Sequence, residues 1–517
     1  MQLNRNNLTK DIDNVFNFNP GADLSCIMVI FGGTGDLTHR KLMPALYNLQ
    51  CEKKLPYHFA VVSVGRRDKN NKEYRYEVHD SIRSFARFKI NEQTWGQLRQ
   101  RIYYEKFNFA EDDGYTRLDT FLKKLDDQYQ TGGNRIYYLA VAPEYFDVIV
   151  EKLHRHGMAR NTGSWQRVVI EKPFGRDLPS ARILNEKITA VFTESNTYRI
   201  DHYLGKEMLQ NIMVIRFANM LFEPVWNNQF IDNIQILSCE KVGAGSRAGY
   251  YEQAGALRDM MQNHMLQLLT LTTIEPPASL DTESIRDEKV KVLRSLEQFS
   301  PEQVFKNVVR GQYGPGVIDD EEVSGYRQED RVSPTSDTET FIALKVHIDN
   351  FRWAGVPFYI RTGKRMPVKS TEIIIQFKPL PNILFAREYG GLDPNLLVIK
   401  IQPKEGIFLQ FNAKKPGTEN IIVPVQMDFC QNCRPGTNSP EAYERLLYDV
   451  MRGDSTLFAR WDEVEYSWKF VDHIAAAWKE RKPNFPNYAA GSWGPAEAAE
   501  LLAKDNREWL HAGDISA

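Results

Sequence analysis

The feature that most constrains this chain is a short apolar run that stops at a glycine turn. Residues 26–31 (CIMVIF) are continuously apolar, and the turn GGTGDL follows directly at 32–37. Leucine and alanine then recur at helical spacing through residues 42–49. A continuous apolar run ended by glycine is typical of a strand that is buried on both faces of a parallel sheet. Strand, turn and helix in this order predict the start of a doubly wound α/β domain.

Further segments along the first part of the chain repeat this pattern. Residues 59–64, 135–140 and 167–170 are candidate strands, with helical patterns between them. Strands that alternate with helices predict a Rossmann-type α/β dinucleotide-binding domain over residues 24–199. A polar arm at residues 1–23 precedes it.

After about Arg199 the pattern changes. Helical stretches at 205–218 and 255–274 give way to strands that are rich in β-branched residues. The candidate strands are 341–348, 372–377, 396–401 and 407–411. Short, turn-like connections favour antiparallel pairing over helical crossovers. Residues 200–517 are therefore predicted to form an α+β domain with a large, mainly antiparallel sheet.

Composition and charge exclude several classes of protein. The 517 residues include 42% hydrophobic and 26% charged side chains, which excludes disorder as the main character of the chain. The 65 basic and 67 acidic residues leave a net charge of −2, which argues against a nucleic-acid binder. Five cysteines are too few for a disulfide framework, and no apolar run approaches the length of a membrane-spanning helix. A cytoplasmic enzyme is the prediction.

The glycine turn is a candidate phosphate site, because small residues let backbone N–H groups approach a pyrophosphate at a helix N-terminus. The last glycine position of the general motif holds Thr38, so the turn by itself also fits a purely structural role. The candidate cofactor-binding residues in the turn are Gly32, Gly33, Thr34, Gly35, Asp36 and Leu37.

The end of the second candidate strand indicates which dinucleotide binds. NAD-binding domains usually end this strand in Asp or Glu, which holds the ribose 2′-hydroxyl. Here Gly65 is followed by Arg66 and Arg67, and no acid occurs before Asp68. Two guanidinium groups suit a 2′-phosphate, so NADP is the predicted cofactor. The alternative is a pair of solvated surface arginines.

Three later segments concentrate polar groups that packing does not require. The first, EKPFG at 171–175, directly follows a candidate strand, where ligands of α/β domains bind. The second, RIDHYLGK at 199–206, offers several donors for one phosphate. The third, RDMMQNH at 258–264, places His264 on a helix with an apolar stripe, where a histidine is more often part of the core.

Together these strings resemble the glucose-6-phosphate dehydrogenase family. The resemblance extends to RTGK at 361–364, VRGQY at 309–313 and YERLL at 443–447, and it covers most of the chain from residue 27 to about 478. The string at 199–206 is highly specific to this family, whereas the glycine turn is not. The resemblance implies oxidation of glucose 6-phosphate at C1 to 6-phosphoglucono-1,5-lactone, the first oxidative step of the pentose phosphate pathway, with reduction of NADP and without a metal.

The resemblance also implies roles for individual residues. His264 is expected to be the general base, oriented by Asp201 through a hydrogen bond to its other ring nitrogen. Lys172 is expected to contact both the substrate and the nicotinamide end of the cofactor. The expected substrate-binding residues are His202, Tyr203, Lys206, Glu240, Asp259, Lys364 and Lys369. Without the resemblance, Asp259 would be interpreted as a helix-surface charge and Glu240 as a strand-end charge.

The chain departs from the family pattern at several positions. Thr38 replaces the usual alanine of the glycine turn, and Phe146 stands where some members have a tyrosine. Ser370 replaces a lysine that a second, structural NADP would need, so that site is not predicted. Cys430 and Cys433 have the spacing of a metal or redox pair, but a zinc site needs two further ligands, and neither role is predicted.

Two other functions remain open. An NADP-linked dehydrogenase of another hexose would not need a phosphate site at His202 and Lys206. A non-catalytic NADP-binding regulator would not need His264. A homodimer or homotetramer is expected from the resemblance, because an exposed antiparallel sheet commonly serves as a subunit interface. Neither nucleic acid nor a membrane is expected as a partner.

Overall fold

The structure is a computed structural model that describes residues 24–160, 163–430 and 439–515. Cys433 therefore lies outside the described residues. The chain packs into two compact units. The first takes in the chain up to Gly205, with Pro276–Glu288 and Pro440–Glu465; the second takes in Lys206–Glu275, Lys289–Ser439 and the chain from Tyr466 on. Each unit draws on several segments of sequence, whereas the division predicted at Arg199 is continuous.

The secondary structure of the described residues is as follows. The strands are β1 (Cys26–Phe31), β2 (Phe59–Gly65), β3 (Ile102–Lys106), β4 (Arg135–Leu139), β5 (Gln166–Ile170), β6 (Thr197–Ile200), β7 (Ile231–Cys239), β8 (Val308–Gly311), β9 (Tyr313–Gly314), β10 (Gly316–Ile318), β11 (Glu321–Val323), β12 (Phe341–Val346), β13 (Phe358–Gly363), β14 (Ser370–Phe377), β15 (Leu396–Gln402), β16 (Gly406–Lys414), β17 (Ile422–Cys430), β18 (Phe458–Ala459) and β19 (Tyr488–Ala489). The α-helices are α1 (Met43–Cys51), α2 (Asn71–Phe85), α3 (Glu92–Arg99), α4 (Asp112–Tyr129), α5 (Phe146–Arg155), α6 (Leu178–Thr189), α7 (Glu207–Phe217), α8 (Ala248–Ala256), α9 (Leu266–Thr273), α10 (Thr282–Arg294), α11 (Pro301–Asn307), α12 (Leu384–Glu388), α13 (Ala442–Arg452), α14 (Trp461–Trp478), α15 (Ala496–Ala503) and α16 (Ala512–Ile515). Two further segments, Thr38–Leu42 and Leu257–Met265, are π-helical.

The first unit is built on a seven-stranded sheet in the order β18-β6-β5-β4-β1-β2-β3. Strands β1 to β6 run parallel, and β18 at the edge pairs antiparallel with β6. Every residue of β1 and β2 is buried, as continuous apolar runs predict for strands covered on both faces. The strand order reverses between β1 and β4, so the carboxyl ends of these strands border the crevice where α/β domains bind ligands. The predicted Rossmann-type domain is confirmed.

A buried ion cluster ties α13, from a distant part of the sequence, into this first unit. The Glu444 carboxylate is 1% exposed and accepts hydrogen bonds from Asn48 Nδ2 at 2.9 Å and from Arg87 Nη2 at 2.7 Å. Asn48 lies on α1, and Arg87 follows α2. A buried carboxylate needs such partners because it has lost its hydration. The cluster explains why the chain returns to this unit after residue 439.

The second unit is built on an eight-stranded sheet in the order β17-β16-β15-β14-β7-β13-β12-β8. Its neighbouring strands pair antiparallel, except that β13 and β7 run parallel. Ile360, Ile236, Ile373 and Ile399 are in register on successive strands and are fully buried. Such cross-strand rows of β-branched side chains stabilise a sheet. The predicted α+β domain with a mainly antiparallel sheet is confirmed.

None of the helices in the described part of the chain is both long enough and apolar enough to cross a bilayer.

Candidate active site

The glycine turn follows β1 at the carboxyl edge of the first sheet. The N–H groups of Gly32 and Gly33 both donate to the carbonyl of Val64, at 2.9 and 2.8 Å. Gly32 has a φ of 92°, and a Cβ there would lie 2.0 Å from the carbonyl oxygen of Ala140. A Cβ at Gly33 would lie 2.5 Å from the Ser63 side chain. The turn therefore requires glycine at both positions, because the protein's own backbone and side chains occupy the space that a Cβ would need.

Thr38 has a structural role in this turn that the sequence did not reveal. Its hydroxyl donates to the carbonyl of Gly32 at 2.9 Å, and its side chain is fully buried. The residue begins the π-helical segment that leads into α1. The hydroxyl thus closes the turn.

Arg66 and Arg67 follow β2, the strand next to β1, and both side chains are exposed. The Arg66 guanidinium carbon lies 5.7 Å from the centre of the Tyr145 ring. Asp68, the first acid after the strand, pairs with Lys106 Nζ at 3.0 Å. The strand end therefore presents two guanidinium groups where an NAD-binding domain presents a carboxylate.

Lys172 lies at the carboxyl end of β5, and its peptide bond to Pro173 is cis. The preceding residue, Glu171, accepts hydrogen bonds from the hydroxyls of Tyr138 at 2.5 Å and Tyr443 at 3.3 Å. Burial raises the pKa of Glu171 to about 7, while the two phenols and the charge of Lys172 act in the opposite direction. This site therefore places a carboxyl that titrates near neutral pH beside the expected catalytic lysine.

Asp201, His202 and Tyr203 form one turn after β6. Asp201 is 3% exposed, and its Oδ1 accepts a hydrogen bond from the N–H of Tyr203 at 2.9 Å. The rings of His202 and Tyr203 meet edge to face, with centres 5.1 Å apart. The carboxylate thus organises the turn that presents the two rings.

In the second unit, Glu240 and Lys364 follow the parallel strands β7 and β13. Lys364 Nζ donates to Glu240 Oε2 at 2.5 Å and lies 4.9 Å from the centre of the Tyr251 ring. Tyr251 is buried, and its pKa lies well above the usual range because of that burial and because of nearby carboxylates, Asp259 first among them. The structure therefore gathers three predicted substrate-binding residues around one phenol that sequence reasoning missed.

Asp259 and His264 both lie on the π-helical segment Leu257–Met265. Asp259 is 4% exposed and receives a hydrogen bond from the Tyr250 hydroxyl at 3.4 Å, so it is not a helix-surface charge. His264 is 1% exposed. The sequence predicted an ordinary helix here, whereas the segment is π-helical; such turns are rare and frequently lie at functional sites.

The two remaining lysines of the predicted set belong to the second unit. Lys206 precedes α7, and its Nζ donates to Gln402 Oε1 at 2.6 Å. Lys369 is exposed at the start of β14. No pattern in the sequence singles out Gln402 or Tyr251, and the string at 443–447 assigns no role to Tyr443. The surroundings of these three side chains are created by strands and helices distant in sequence.

Two family models together match nearly the whole chain. One, described as the NAD binding domain of glucose-6-phosphate dehydrogenase, matches residues 29–211, and the other, the C-terminal domain of the same enzyme, matches residues 213–510. The chain belongs to the glucose-6-phosphate dehydrogenase family. The resemblance stated from the motifs is therefore confirmed.

Individual members of the glucose-6-phosphate dehydrogenase family match this chain over nearly their full length. Glucose-6-phosphate 1-dehydrogenase of Bacillus subtilis (strain 168) is 52% identical over 483 residues, which are 93% of this chain and 98% of that protein. The enzyme of Chlamydia pneumoniae is 48% identical over 94% of this chain and 96% of its own length. A solved glucose-6-phosphate dehydrogenase in complex with its substrate glucose-6-phosphate matches with a TM-score of 0.86 and 34% identity, over 94% of this chain and 99% of that one.

Proposed function

We propose that this chain oxidises glucose 6-phosphate at C1 to 6-phosphoglucono-1,5-lactone and reduces NADP to NADPH. The observation that carries the proposal is full-length membership of the glucose-6-phosphate dehydrogenase family, including a 52% identical relative of that activity. When bound, the oxidised nicotinamide supplies the hydride acceptor, so the protein must provide a base, a phosphate anchor and orientation.

The proposed base is His264, which takes the proton of the C1 hydroxyl, and Asp201 is the proposed hydrogen-bond acceptor that fixes its tautomer. The burial of both side chains supports these roles, since a buried carboxylate orients and stabilises an imidazolium better than a solvated one. His202, Tyr203 and Lys206 hold the 6-phosphate through N–H and O–H donors.

Glu240 and Asp259 accept hydrogen bonds from the sugar hydroxyls in this proposal. Two observations support these roles. Glu240 contacts Lys364, and both carboxylates lie near the buried Tyr251. Asp259 also lies on the segment that carries His264. Lys364 and Lys369 contribute further donors. Lys172 contacts the substrate and the nicotinamide end.

NADP is held, in this proposal, by the glycine turn and by the strand end that follows β2. The glycine turn holds the pyrophosphate, which fits its place between the carboxyl end of β1 and the helical segment that begins at Thr38. Arg66 and Arg67 hold the 2′-phosphate, which fits the absence of a carboxylate at the end of β2.

We also propose that the enzyme is a cytoplasmic homo-oligomer that associates through the large sheet. The edge strand β17 carries Val423, Val425, Met427 and Phe429 on one face, and the Met427 and Phe429 side chains are 64% and 57% exposed. Exposed apolar faces of this kind mark protein interfaces.

A comparison of substrates and cofactors tests the proposed activity. Reduction of the nicotinamide, to NADPH or NADH, is followed by its absorbance with glucose 6-phosphate and with glucose, each with NADP and with NAD. We expect kcat/KM for glucose 6-phosphate with NADP to exceed every other combination. Equal efficiency with glucose would indicate another hexose dehydrogenase, and no turnover with either sugar would indicate a binding protein.

A further inference from the structure

Two stacked tyrosines each donate a hydrogen bond to one of the two segments of the first unit that are proposed to bind the cofactor. Tyr74 on α2 and Tyr104 on β3 have ring centres 4.9 Å apart and ring planes 27° apart. The Tyr74 hydroxyl donates to the carbonyl of Gly33 at 2.8 Å, and the Tyr104 hydroxyl donates to the carbonyl of Arg67 at 2.7 Å. One phenol therefore holds the glycine turn, and the other holds the arginine segment.

Tyr104 is closely fitted to the end of β2. Its side chain is buried, and a Cβ on Gly65 would lie 2.7 Å from its hydroxyl oxygen. The backbone N–H of Tyr104 donates to Asn71 Oδ1 at 2.7 Å, and this hydrogen bond fixes β3 to the start of α2. Burial raises the pKa of Tyr104 to about 12, so the phenol keeps its proton and remains a donor at neutral pH.

Arg66 lies against the Tyr145 ring, whereas the Arg67 side chain has no such neighbour among the described residues. Within the described residues, the Arg67 guanidinium makes no hydrogen bond or ion pair, and its side chain is exposed. Lys69, two residues on, is paired with Glu77 on α2. The direction in which the Arg67 side chain leaves the backbone therefore depends on the peptide that Tyr104 holds.

We propose that Tyr104 is a positioning residue for cofactor specificity, which orients the Arg66–Arg67 segment toward the 2′-phosphate of NADP. This inference rests on the proposed role of the two arginines. Tyr74 differs in kind, because the turn that it holds faces the pyrophosphate, which NAD and NADP share. Removal of the Tyr104 hydroxyl should thus weaken binding of the 2′-phosphate, whereas removal of the Tyr74 hydroxyl should weaken both dinucleotides.

Binding measurements on the full-length protein test this inference without relying on turnover. Dissociation constants for NADP, NAD, 2′,5′-ADP and 5′-AMP are measured by isothermal titration calorimetry for the wild type, Tyr104→Phe and Tyr74→Phe. Tyr103→Phe is the matched control, because Tyr103 lies on the same strand and its hydroxyl contacts Tyr129 at 2.8 Å instead. Steady-state KM values for NADP and NAD accompany the titrations.

We expect Tyr104→Phe to weaken NADP and 2′,5′-ADP about three- to tenfold more than NAD and 5′-AMP, the effect of one hydrogen bond. Tyr103→Phe should not change the NADP-to-NAD ratio. An equal change for all four ligands, or no change, would overturn the inference.

The double variant Arg66→Ala plus Arg67→Ala tests the proposed 2′-phosphate site separately from the role of Tyr104. If the double variant loses its preference for ligands with a 2′-phosphate and Tyr104→Phe does not, only the role of Tyr104 fails. If the double variant keeps its preference, the proposed 2′-phosphate site fails, and the inference fails with it.

Discussion

His264 is the residue on which the proposed proton transfer depends most. An imidazole can take the C1 proton near neutral pH, and an amide of similar size cannot. His264→Asn should therefore lower kcat by about 10³-fold or more while KM for glucose 6-phosphate changes little. The measurement is steady-state kinetics with saturating NADP.

A control for this variant is Asn263→Ala, at the neighbouring position on the same π-helical segment. The Asn263 side chain accepts a hydrogen bond from the N–H of His264 and donates one to the carbonyl of Arg258, and it cannot replace the imidazole, so kcat should fall far less. A His264→Asn variant with near-full turnover would remove His264 from the role of base.

The charge of Arg66 and Arg67 should decide between the two dinucleotides. Replacement of both by alanine removes the only exposed cations directly after β2 while it leaves the buried strand intact. We expect KM for NADP to rise at least tenfold more than KM for NAD, since two charge-assisted contacts to the 2′-phosphate are lost (roughly 1.4 kcal/mol per factor of ten). Parallel changes in the two KM values would favour the interpretation of solvated surface arginines.

The raised pKa of Glu171 predicts how stability depends on pH. The folded state holds this proton up to about pH 7, whereas the unfolded chain releases it near the ordinary glutamate pKa of 4.5. In that window the folded state binds more protons, so the free energy of unfolding decreases as pH rises from 4.5 to 7. Glu171→Gln should reduce this decrease, as measured by urea denaturation at both ends of the window.

A second buried carboxyl provides the control for Glu171. Burial also raises the pKa of Asp449 to about 7, although Arg445 lies 2.8 Å from it. Asp449→Asn should therefore change the pH dependence of stability in the same direction, whereas only Glu171→Gln should also lower kcat, because Glu171 adjoins Lys172. A Glu171→Gln variant with the wild-type pH dependence of stability would contradict the buried, protonated carboxyl.

At the scale of elements, Gly255 sets the entry into the π-helical segment that carries Asp259 and His264. Its φ of 63° and ψ of 177° belong to a region that only glycine adopts readily. A Cβ there would lie 2.2 Å from Glu339 Oε1, the atom that accepts the hydrogen bond from the N–H of Leu257 at 2.9 Å. Gly255→Ala should lower the free energy of unfolding by about 3 kcal/mol and lower kcat.

Gly249, also on α8, is the matched control for this variant. A Cβ there would contact only the Arg331 side chain, at 3.8 Å. Gly249→Ala should be neutral or stabilising by up to about 1 kcal/mol, because alanine favours a helix. Urea denaturation of the two variants distinguishes backbone strain from a general intolerance of side chains on this helix.

Elements with a strong local pattern could be predicted from the sequence. The run at 26–31 and the strand at 59–64 match β1 and β2 within one residue, because strands buried on both faces must be apolar throughout. The predicted strands at 341–348 and 396–401 correspond to β12 and β15. The bounds of the central strand β7 were not predicted, although Glu240 was interpreted as a strand-end charge. Polar residues such as Asn233 and Gln235 interrupt the apolar pattern of this strand and are satisfied only by contacts in the folded unit.

The site was predictable to a similar extent and for related reasons. The motifs identified the ends of strands and the polar residues that follow them, and their roles remain predictions. The sequence could not indicate that Tyr138 and Tyr443 share the carboxyl of Glu171, because β4, β5 and α13 meet only in the folded unit. Nor could periodicity distinguish the π-helical turn at 257–265 from an α-helix, since both place apolar residues on one face.

At the scale of the whole molecule, the open question is what covers the apolar face of the large sheet. On β16, Ile407, Leu409 and Phe411 are in register with Phe429, Met427 and Val425 of β17, so the two strands present one continuous apolar surface. Strand β17 forms the edge of the sheet. A surface of this kind is stable in water when a second subunit buries it.

Charges placed on this face should therefore separate the subunits. We expect Met427→Glu plus Phe429→Glu to convert the oligomer to monomers in sedimentation velocity, because each carboxylate would have to be buried without a partner. Asp428→Asn is the control, since Asp428 lies between them on β17 and its side chain faces the opposite side of the sheet. A wild type that sediments as a monomer, or a double variant that keeps the oligomer, would show that subunits associate elsewhere or not at all. If the double variant forms monomers and the control does not, the subunit interface lies on the face of the sheet that carries Met427 and Phe429.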